Sequence, residues 1–260
     1  MSTSKDESVN QMAQGSIYAF GKAPAKRDDR NLNLADVLRE EDPLPAEYNF
    51  DDKHQGIPTP KYLNPPLDNC VIAGRAHQTL RFEAVEQRGL INITDEDVRR
   101  EFVKQTGGEN NNIEVLESLK LWRTRGWEAG GQHFKILGFA EVKDRTNREE
   151  IKRAIYINTG VGLGFLLPDS AMIQFKAGQP WEVTRERPGN PHYVYVSGYT
   201  SLGPVCVTWG RKQQMSWAFV NAYSDEAYAI FDAIDTPEKK RNLDEKMIND
   251  FLKKCAPCLT

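Results

Sequence analysis

Helix-type patterns fill the first half of this sequence and strand-type patterns fill most of the second, and this order constrains the fold more than any other feature. Apolar spacing and capping signals predict helices over 70–87, from Thr94 to about Gly107–Gly108, over 113–125 and over 148–157. Alternating patterns predict strands over 134–142, 160–167, 192–201 and 205–209, with others near 216–220 and 228–232. Helices followed by antiparallel-type strands indicate an α+β domain.

Composition divides the chain into one domain with two appendages. Residues 1–52 are polar and interrupted, so they predict an arm with one short helix at most. Residues 53–235 carry the domain, and 236–260 form a charged helix and a tail with a Cys-x-x-Cys pair. The arm has two interpretations, an inhibitory propeptide or a segment that packs on the domain or stays disordered.

Charge and hydropathy exclude several classes of partner. The net charge is −3, whereas a nucleic-acid binder usually has a strongly basic face. The sequence has no signal peptide and no apolar run of membrane-spanning length. We therefore expect no nucleic-acid or membrane partner and a cytoplasmic, or virion-associated, protein; the oligomeric state stays open.

Cys70 is the residue best placed for chemistry. It opens the first predicted helix, after Pro65 and Pro66 and next to the potential capping residues Asp68 and Asn69. The unpaired N–H groups of a first helical turn favour negative charge, so a thiol there can ionise near neutral pH. The alternative is an inert buried cysteine.

His192 could supply the base for this thiol. It begins a predicted strand more than a hundred residues after Cys70, and a cysteine and a distant histidine joined only by folding are typical of a nucleophile and its base. A purely structural histidine remains the alternative. His77, two turns after Cys70 on the same helix face, is better explained as a core residue.

A series of landmarks between Asn64 and Asp232 carries a family resemblance. They are Asn64 to Cys70, Ala73 to His77, 115–116 through 122–126, 162–168, His192 with 198–199, 207–210, and 215–219 to 225–229. In this order they resemble the papain-like cysteine peptidases, in particular a bacterial and phage-associated branch. The resemblance implies an N-terminal helical half, a C-terminal antiparallel β-sheet half and a cleft between them.

The resemblance also implies roles for the site residues, with no cofactor. Cys70 would be the nucleophile, His192 the general base, and Asn64 an oxyanion-hole donor together with the Cys70 N–H. Without the resemblance, Asn64 reads equally well as a turn residue before two prolines.

The third catalytic position departs from the family pattern. Papain-like enzymes usually carry asparagine two residues before the tryptophan of Asn-Ser-Trp-Gly, and Val207 stands there in Val207-Thr208-Trp209-Gly210. Thr208 could orient His192 only if the strand register differs, because adjacent residues face opposite ways. Alternatively, a backbone carbonyl orients His192, or no strong interaction orients it.

The expected function is a cysteine hydrolase that cleaves peptide or other amide bonds. Two alternatives stay open: an inactive papain-like binding or structural module, which the valine favours, and an amidase or acyltransferase with the same dyad.

Other motifs carry weaker signals. Trp209 and Trp217 suit either a site cover or ordinary core packing, and Asp225-Glu226 lacks the opposing environments of an acid–base pair. The glycine-rich run 160–164 opens no helix, so a nucleotide site is not expected. Cys255 and Cys258 form a single pair with no nearby histidine, which argues against a metal or redox site.

Overall fold

The structure is a computed structural model that describes residues 18–39, 42–86, 89–109, 111–234 and 236–255, and of residue 255 the backbone only. Its helices are α1 (Leu34–Val37), α2 (Phe50–Lys53), α3 (Cys70–Glu86), α4 (Asp95–Thr106), α5 (Val115–Thr124), α6 (Arg148–Ile157), α7 (Asp169–Lys176), α8 (Trp217–Tyr223), α9 (Pro237–Asn242) and α10 (Glu245–Cys255). Its strands are β1 (Tyr48–Asn49), β2 (Trp127–Ala129), β3 (Gln132–Phe134), β4 (Gly138–Glu141), β5 (Val161–Leu167), β6 (Asn190–Tyr199), β7 (Pro204–Thr208), β8 (Arg211–Gln214) and β9 (Ser224–Phe231).

The predicted α+β class is confirmed. Six strands form a sheet in the order β4-β9-β5-β6-β7-β8, and β1 pairs with β6 as a seventh. All of these pairings are antiparallel. A separate hairpin joins β2 and β3. The sheet therefore forms the C-terminal half, and α3, α4 and α5 form the helical half beside it.

The sheet separates two cores because neighbouring strand residues face opposite sides. In β9, Ala227 and Ala229 belong to one core, whereas Tyr228 and Ile230 belong to the other, which also contains α3 to α5. In β6, Val194 and Val196 face the first core and Tyr193 faces the second. The β5–β6–β9 part of the sheet is thus the surface against which the helical half packs.

Several predicted elements needed correction. The predicted strand 134–142 is split between β3 and β4, which belong to different sheets. The strand predicted near 216–220 is wrong: Ser216 caps α8 there by accepting the N–H of Phe219. Helices α2, α7 and α9 and strands β1, β2 and β8 were not predicted; the arm 1–52, expected to have one short helix at most, contains α1, β1 and the start of α2. Gln87, the last residue of the first predicted helix, lies outside the described residues.

The C-terminal helix α10 packs on the domain through a buried apolar residue, Ile248. Arg123 of α5 also donates to the carbonyl of Leu252 at 3.2 Å. None of the helices in the described ranges has both the length and the apolar character needed to cross a bilayer. Cys258 and the side chain of Cys255, the predicted loose pair, lie outside the described residues.

Candidate active site

Helix α3 brings Cys70 against strand β6. Gly74, one turn after Cys70, makes this approach possible, because a Cβ at Gly74 would lie 2.7 Å from the ring of Tyr193. Real Cβ atoms do not tolerate that distance, so any other residue would push the helix off the sheet. Cys70 itself is buried at the N-terminus of α3. Its thiol consequently lies beside the first residues of β6.

The residues predicted to cap α3 make other contacts. The Asp68 carboxylate accepts the backbone N–H of Phe20 at 2.9 Å, and the Asn69 amide donates to the carbonyl of Tyr62 at 2.8 Å. The capping prediction for these side chains is therefore wrong. Residues packed around the helix start, rather than an Asx cap, hold this turn in place.

Thr208 contacts the imidazole of His192. Its Oγ1 lies 2.7 Å from His192 Nε2, and both residues are buried. The strand register explains the contact: Val196 pairs with Cys206, so His192 on β6 and Thr208 on β7 lie on the same face of the sheet. Val207 faces the opposite side and pairs with Tyr195. Because of this alternation, the side chain of Thr208 can hydrogen-bond to His192, and that of Val207 points away from it.

The indole of Trp209 stacks on His192, with ring centroids 4.5 Å apart and planes 22° from parallel. Trp209 and Gly210 form the two-residue turn between β7 and β8, and both have positive φ, 44° and 83°. Positive φ is rare for an aromatic residue and costs roughly 1–3 kcal/mol. The strained turn aims the indole at the imidazole.

Asn64 lines the same small cavity as Cys70, His192, Thr208 and Trp209. Its side-chain amide donates to the carbonyl of Leu67 at 3.1 Å, which uses one of its two N–H bonds. The second N–H stays available to an oxygen in the cavity. This cavity measures about 10 Å³, so it is no larger than one water molecule.

The predicted N-terminal arm fills the cleft above this cavity. The carbonyl of Phe20 accepts the backbone N–H of Cys70 at 3.1 Å, and the carbonyl of Ala19 accepts the indole N–H of Trp209 at 2.9 Å. The Phe20 ring packs edge-on against His192, with centroids 5.7 Å apart. The Phe20 carbonyl therefore already accepts the Cys70 N–H, which is the donor expected to bind an oxyanion.

Farther along the arm, Gly21 and Ala23 bracket Ile113 of the helical half. The Ile113 N–H donates to Gly21 O, and the Ala23 N–H donates to Ile113 O, each at 2.8 Å. Gly21 has φ 97°, and a Cβ there would overlap the carbonyl of Asp68. Only glycine fits at this point of the cleft. Between these bonds, Lys22 points inward and is fully buried.

With the arm in place, burial shifts the pKa values of both Cys70 and His192 towards their uncharged forms. Burial raises the pKa of the Cys70 thiol to about 12, although the Tyr193 N–H and the Lys22 ammonium oppose it. Burial also lowers the pKa of His192 to about 3. This differs from the thiolate expected near neutral pH, because the helix N-terminus was considered without the peptide that covers it.

The structure also reveals site residues that the sequence reasoning missed. Gly74, Phe20, Gly21 and Lys22 carry no recognisable catalytic signal, because their importance comes from close approach in the fold. A glycine one turn after the cysteine was the only visible clue. Among the described residues, no group of histidine, cysteine and acidic side chains is suited to hold a metal ion.

His77 provides a pH test of the core beside the site. Burial, and secondarily Arg81, lower the pKa of His77 to about 3 from 6.5. Because the pKa is depressed in the folded state, His77 contributes stability that is present above about pH 6.5 and is lost as the pH falls towards 3. In the wild type, this lowers the free energy of unfolding by up to about 1.4 kcal/mol for each pH unit between pH 6.5 and 5. We expect His77→Gln to abolish this pH-dependent decrease.

The measurement is the free energy of unfolding in urea at each pH, as the difference between wild type and variant. His133→Gln is the matched control, because His133 is exposed, and it should parallel wild type. A His77→Gln difference that does not change with pH would contradict the prediction.

Comparison with known proteins places the fold in a class. No protein-family model matches this chain, and no curated protein matches it significantly. Solved structures do match. Xylellain, a cysteine protease from Xylella fastidiosa, is 10% identical with a TM-score of 0.62, and the match covers 85% of this chain and 99% of that one.

Two further structures agree. Digestive procathepsin L2 from Tenebrio molitor is 11% identical with a TM-score of 0.62, covering 83% of this chain and 78% of that one. The Carica candamarcensis cysteine protease CMS1MS2, solved in complex with E-64, is 12% identical with a TM-score of 0.56, covering 72% and 99%. The chain has the papain-like cysteine protease fold.

Proposed function

We propose that the chain is a cysteine peptidase whose nucleophile is Cys70 and whose general base is His192. The observation that carries the proposal is the hydrogen bond between Thr208 Oγ1 and His192 Nε2, within a site that also holds Cys70. Thr208 then orients the imidazole, the role that asparagine has in most papain-like enzymes. The landmarks between Asn64 and Asp232 are the observation that supports the bacterial and phage-associated branch.

The hydrogen bond to Thr208 sets the tautomer of His192. If Nε2 donates to Thr208 Oγ1, the lone pair lies on Nδ1, a buried atom with no hydrogen-bond partner among the described residues. Nδ1 is then free to take the proton of the Cys70 thiol. The thiolate attacks a substrate carbonyl, and the resulting oxyanion is stabilised by the Cys70 N–H and the remaining N–H of Asn64.

Collapse of the tetrahedral intermediate expels an amine, which takes the proton from His192, and leaves a thioester on Cys70. Water activated by the neutral imidazole then hydrolyses the thioester and restores the thiol. Trp209, stacked on the imidazole, excludes bulk water from this face during both steps.

In this proposal, residues 18–23 of the arm hold the peptidase inactive. The Phe20 carbonyl accepts the Cys70 N–H, so no substrate carbonyl can use that donor until the arm leaves. Burial under the arm also keeps the dyad neutral. Activity therefore requires displacement or cleavage of the arm.

The test of the dyad compares substitutions at four positions, with peptide hydrolysis as the readout after the arm is displaced. Cys70→Ala and His192→Ala should each abolish turnover. Thr208→Val should lower kcat about 10- to 100-fold, as loss of an orienting hydrogen bond does at other sites, and should shift the acid limb of the pH profile. Val207→Asn is the matched comparison: Val207 also lines the cavity, but its side chain lies on the face of β7 opposite to that of Thr208, so the new amide should not reach His192 Nε2 and should change kcat little.

A different pattern would contradict the proposal. Turnover that survives both Cys70→Ala and His192→Ala would remove the cysteine mechanism. A silent Thr208→Val together with a gain from Val207→Asn would show that the working register is that of the Asn-Ser-Trp-Gly pattern.

A peptide-binding module without turnover is the second candidate, and the neutral dyad under the arm is the observation that favours it. Labelling with E-64 separates the two. A peptidase should be labelled at Cys70 much faster than at Cys206 once the arm is displaced, because Cys206 is fully buried and burial raises its pKa. If peptides are refused while small amides are cleaved, the same dyad serves an amidase.

A further inference from the structure

The side chain of Lys22 lies in a closed acidic pocket in the cleft. Its ammonium is 2.8 Å from Asp225 Oδ2, 2.9 Å from Glu226 Oε1 and 3.1 Å from the carbonyl of Ala23. The ammonium donates hydrogen bonds to Asp225 and to the Ala23 carbonyl, whereas Glu226 Oε1 lies within ion-pair distance but accepts no hydrogen bond among the described residues. The Lys22 side chain is completely buried, and Glu226 is 3% exposed. The pocket is thus shaped around one lysine side chain.

Gly164 on β5 makes room for the pocket. Gly164 pairs with Glu226 on β9, and a Cβ on Gly164 would lie 2.5 Å from Glu226 Cγ and 2.9 Å from Asp225 Oδ1. Gly162, on the same face, is covered by the hydroxyl end of Tyr193. In the run 160–164, which is unsuited to phosphate, the missing side chain of Gly164 leaves space for the two carboxylates, and those of Gly160 and Gly162 leave space for Tyr195 and Tyr193.

The pocket needs a cation. Burial raises the pKa of Glu226, and Lys22 counteracts this. Burial alone would lower the pKa of Lys22, but Glu226 and Asp225 raise it above its ordinary value. Asp225 Oδ1 is buried and accepts no hydrogen bond among the described residues, so the pocket has acceptor capacity beyond what Lys22 uses.

Leaving the buried Glu226 and the partly exposed Asp225 without a partner is costly, because removal of one member of a buried ion pair destabilises strongly. The arm must leave before a substrate can reach Cys70, and Lys22 leaves with it. A positively charged substrate side chain in the place of Lys22 would again balance Asp225 and Glu226.

We propose that Asp225 and Glu226 are specificity-determining residues that select a substrate peptide with a lysine side chain, and that Lys22 of the arm occupies their pocket as a substrate mimic. This inference rests on the proposed peptidase function. The selected residue is the one whose backbone pairs with Ile113, since Gly21 and Ala23 make that pairing on either side of Lys22. A neutral side chain of equal length fills the space and leaves the carboxylates unpaired.

The test uses the full-length chain with Gly21→Ala, in which the arm is displaced. Four peptides differ at one position only, with lysine, arginine, norleucine or glutamate, and kcat/KM is measured for each. Lysine should be preferred over norleucine by about 30-fold or more, since about 2 kcal/mol of ion pairing corresponds to that ratio. Glu226→Gln should reduce this preference, measured as the ratio of kcat/KM for the lysine peptide to that for the norleucine peptide, at least about 10-fold.

Glu149→Gln is the matched control, because Glu149 is exposed on α6, and it should leave the lysine preference intact. Equal cleavage of the lysine and norleucine peptides, or a preference that survives both Glu226→Gln and Asp225→Asn, overturns the inference and leaves the peptidase proposal standing.

Failure of the peptidase proposal has a different signature, the absence of turnover and of E-64 labelling for every peptide. In that case the same four peptides are titrated against the Gly21→Ala, Cys70→Ala protein by calorimetry. Tighter binding of the lysine peptide that disappears with Glu226→Gln supports the pocket, and uniform binding overturns it.

A measurement on Lys22 needs no substrate. Lys22→Met should raise the rate of Cys70 labelling at least about 10-fold, because the methionine leaves the two carboxylates unpaired and the arm loses its anchor. Lys22→Arg should preserve most of the protection. If Cys70 is protected equally well in the Lys22→Met protein, the ion pairs of Lys22 do not hold the arm in the cleft. That result would overturn the proposal that Lys22 mimics a substrate lysine.

Discussion

Gly21→Ala should increase the rate at which E-64 labels Cys70 by about 100-fold or more. A Cβ at residue 21 would overlap the carbonyl of Asp68, and φ is 97° there, so the arm cannot keep its path through the cleft. The combined clash and backbone strain amount to roughly 3 kcal/mol, which corresponds to that factor. The labelling rate in wild type should also keep rising into strongly alkaline pH, because burial raises the pKa of Cys70 to about 12.

Gly178→Ala is the matched control for this effect. Gly178 also has positive φ, 69°, but nothing lies within 4 Å of a Cβ built there. The control therefore introduces the same kind of backbone strain away from the cleft, and Cys70 should stay protected. If E-64 labels Cys70 at the same rate in the Gly178→Ala and Gly21→Ala proteins, the arm does not occlude the site.

Arg81→Met should lower the free energy of unfolding by about 3 to 5 kcal/mol, the range for breaking a buried ion pair. Arg81 lies on α3, is completely buried, and holds Asp51 with two hydrogen bonds of 2.9 and 2.8 Å. It also donates to the carbonyl of His77 and lies over the ring of Tyr195. Methionine removes these contacts and leaves Asp51 with only the partly exposed Lys212.

The matched control is Arg99→Met. Arg99 pairs with Glu109 at 2.7 Å, but both side chains are more than 40% exposed, so the change should stay within about 1 kcal/mol. Urea unfolding at pH 7 measures both variants. Similar losses at the two positions would mean that the Arg81 cluster does not hold α3, the sheet and residues 50–53 together.

The local predictions that the structure confirms rest on interactions between residues a few positions apart. Thr94 and Asp97 form the capping box that starts α4, and Gly107 ends that helix with φ 73°, as the residue types predicted. Where the local signal was ambiguous the prediction failed. The apolar run after Ser216 suits either a strand or a helix, and the Ser216 cap with burial of Phe219 decided for the helix.

The position proposed to orient His192 shows why spacing in the sequence was insufficient to assign that role. Counting back from Trp209 placed Val207 where the family has asparagine, and adjacent strand residues face opposite ways. Which of the two faces His192 depends on the pairing of Val196 with Cys206, a contact between strands. Only the sheet register could assign the hydrogen bond to Thr208.

By itself, the sequence determined the α+β class, the helix that begins at Cys70 and the strand that contains His192, because periodicity and capping act over a few residues. The tertiary structure alone decided that residues 18–23 lie in the cleft and that Lys22 reaches Asp225 and Glu226 across about two hundred residues of chain. No pattern within the polar arm marks Phe20 or Lys22. Their partners come from distant segments, and burial in the cleft, which a linear sequence does not express, sets the charge states of Cys70 and His192.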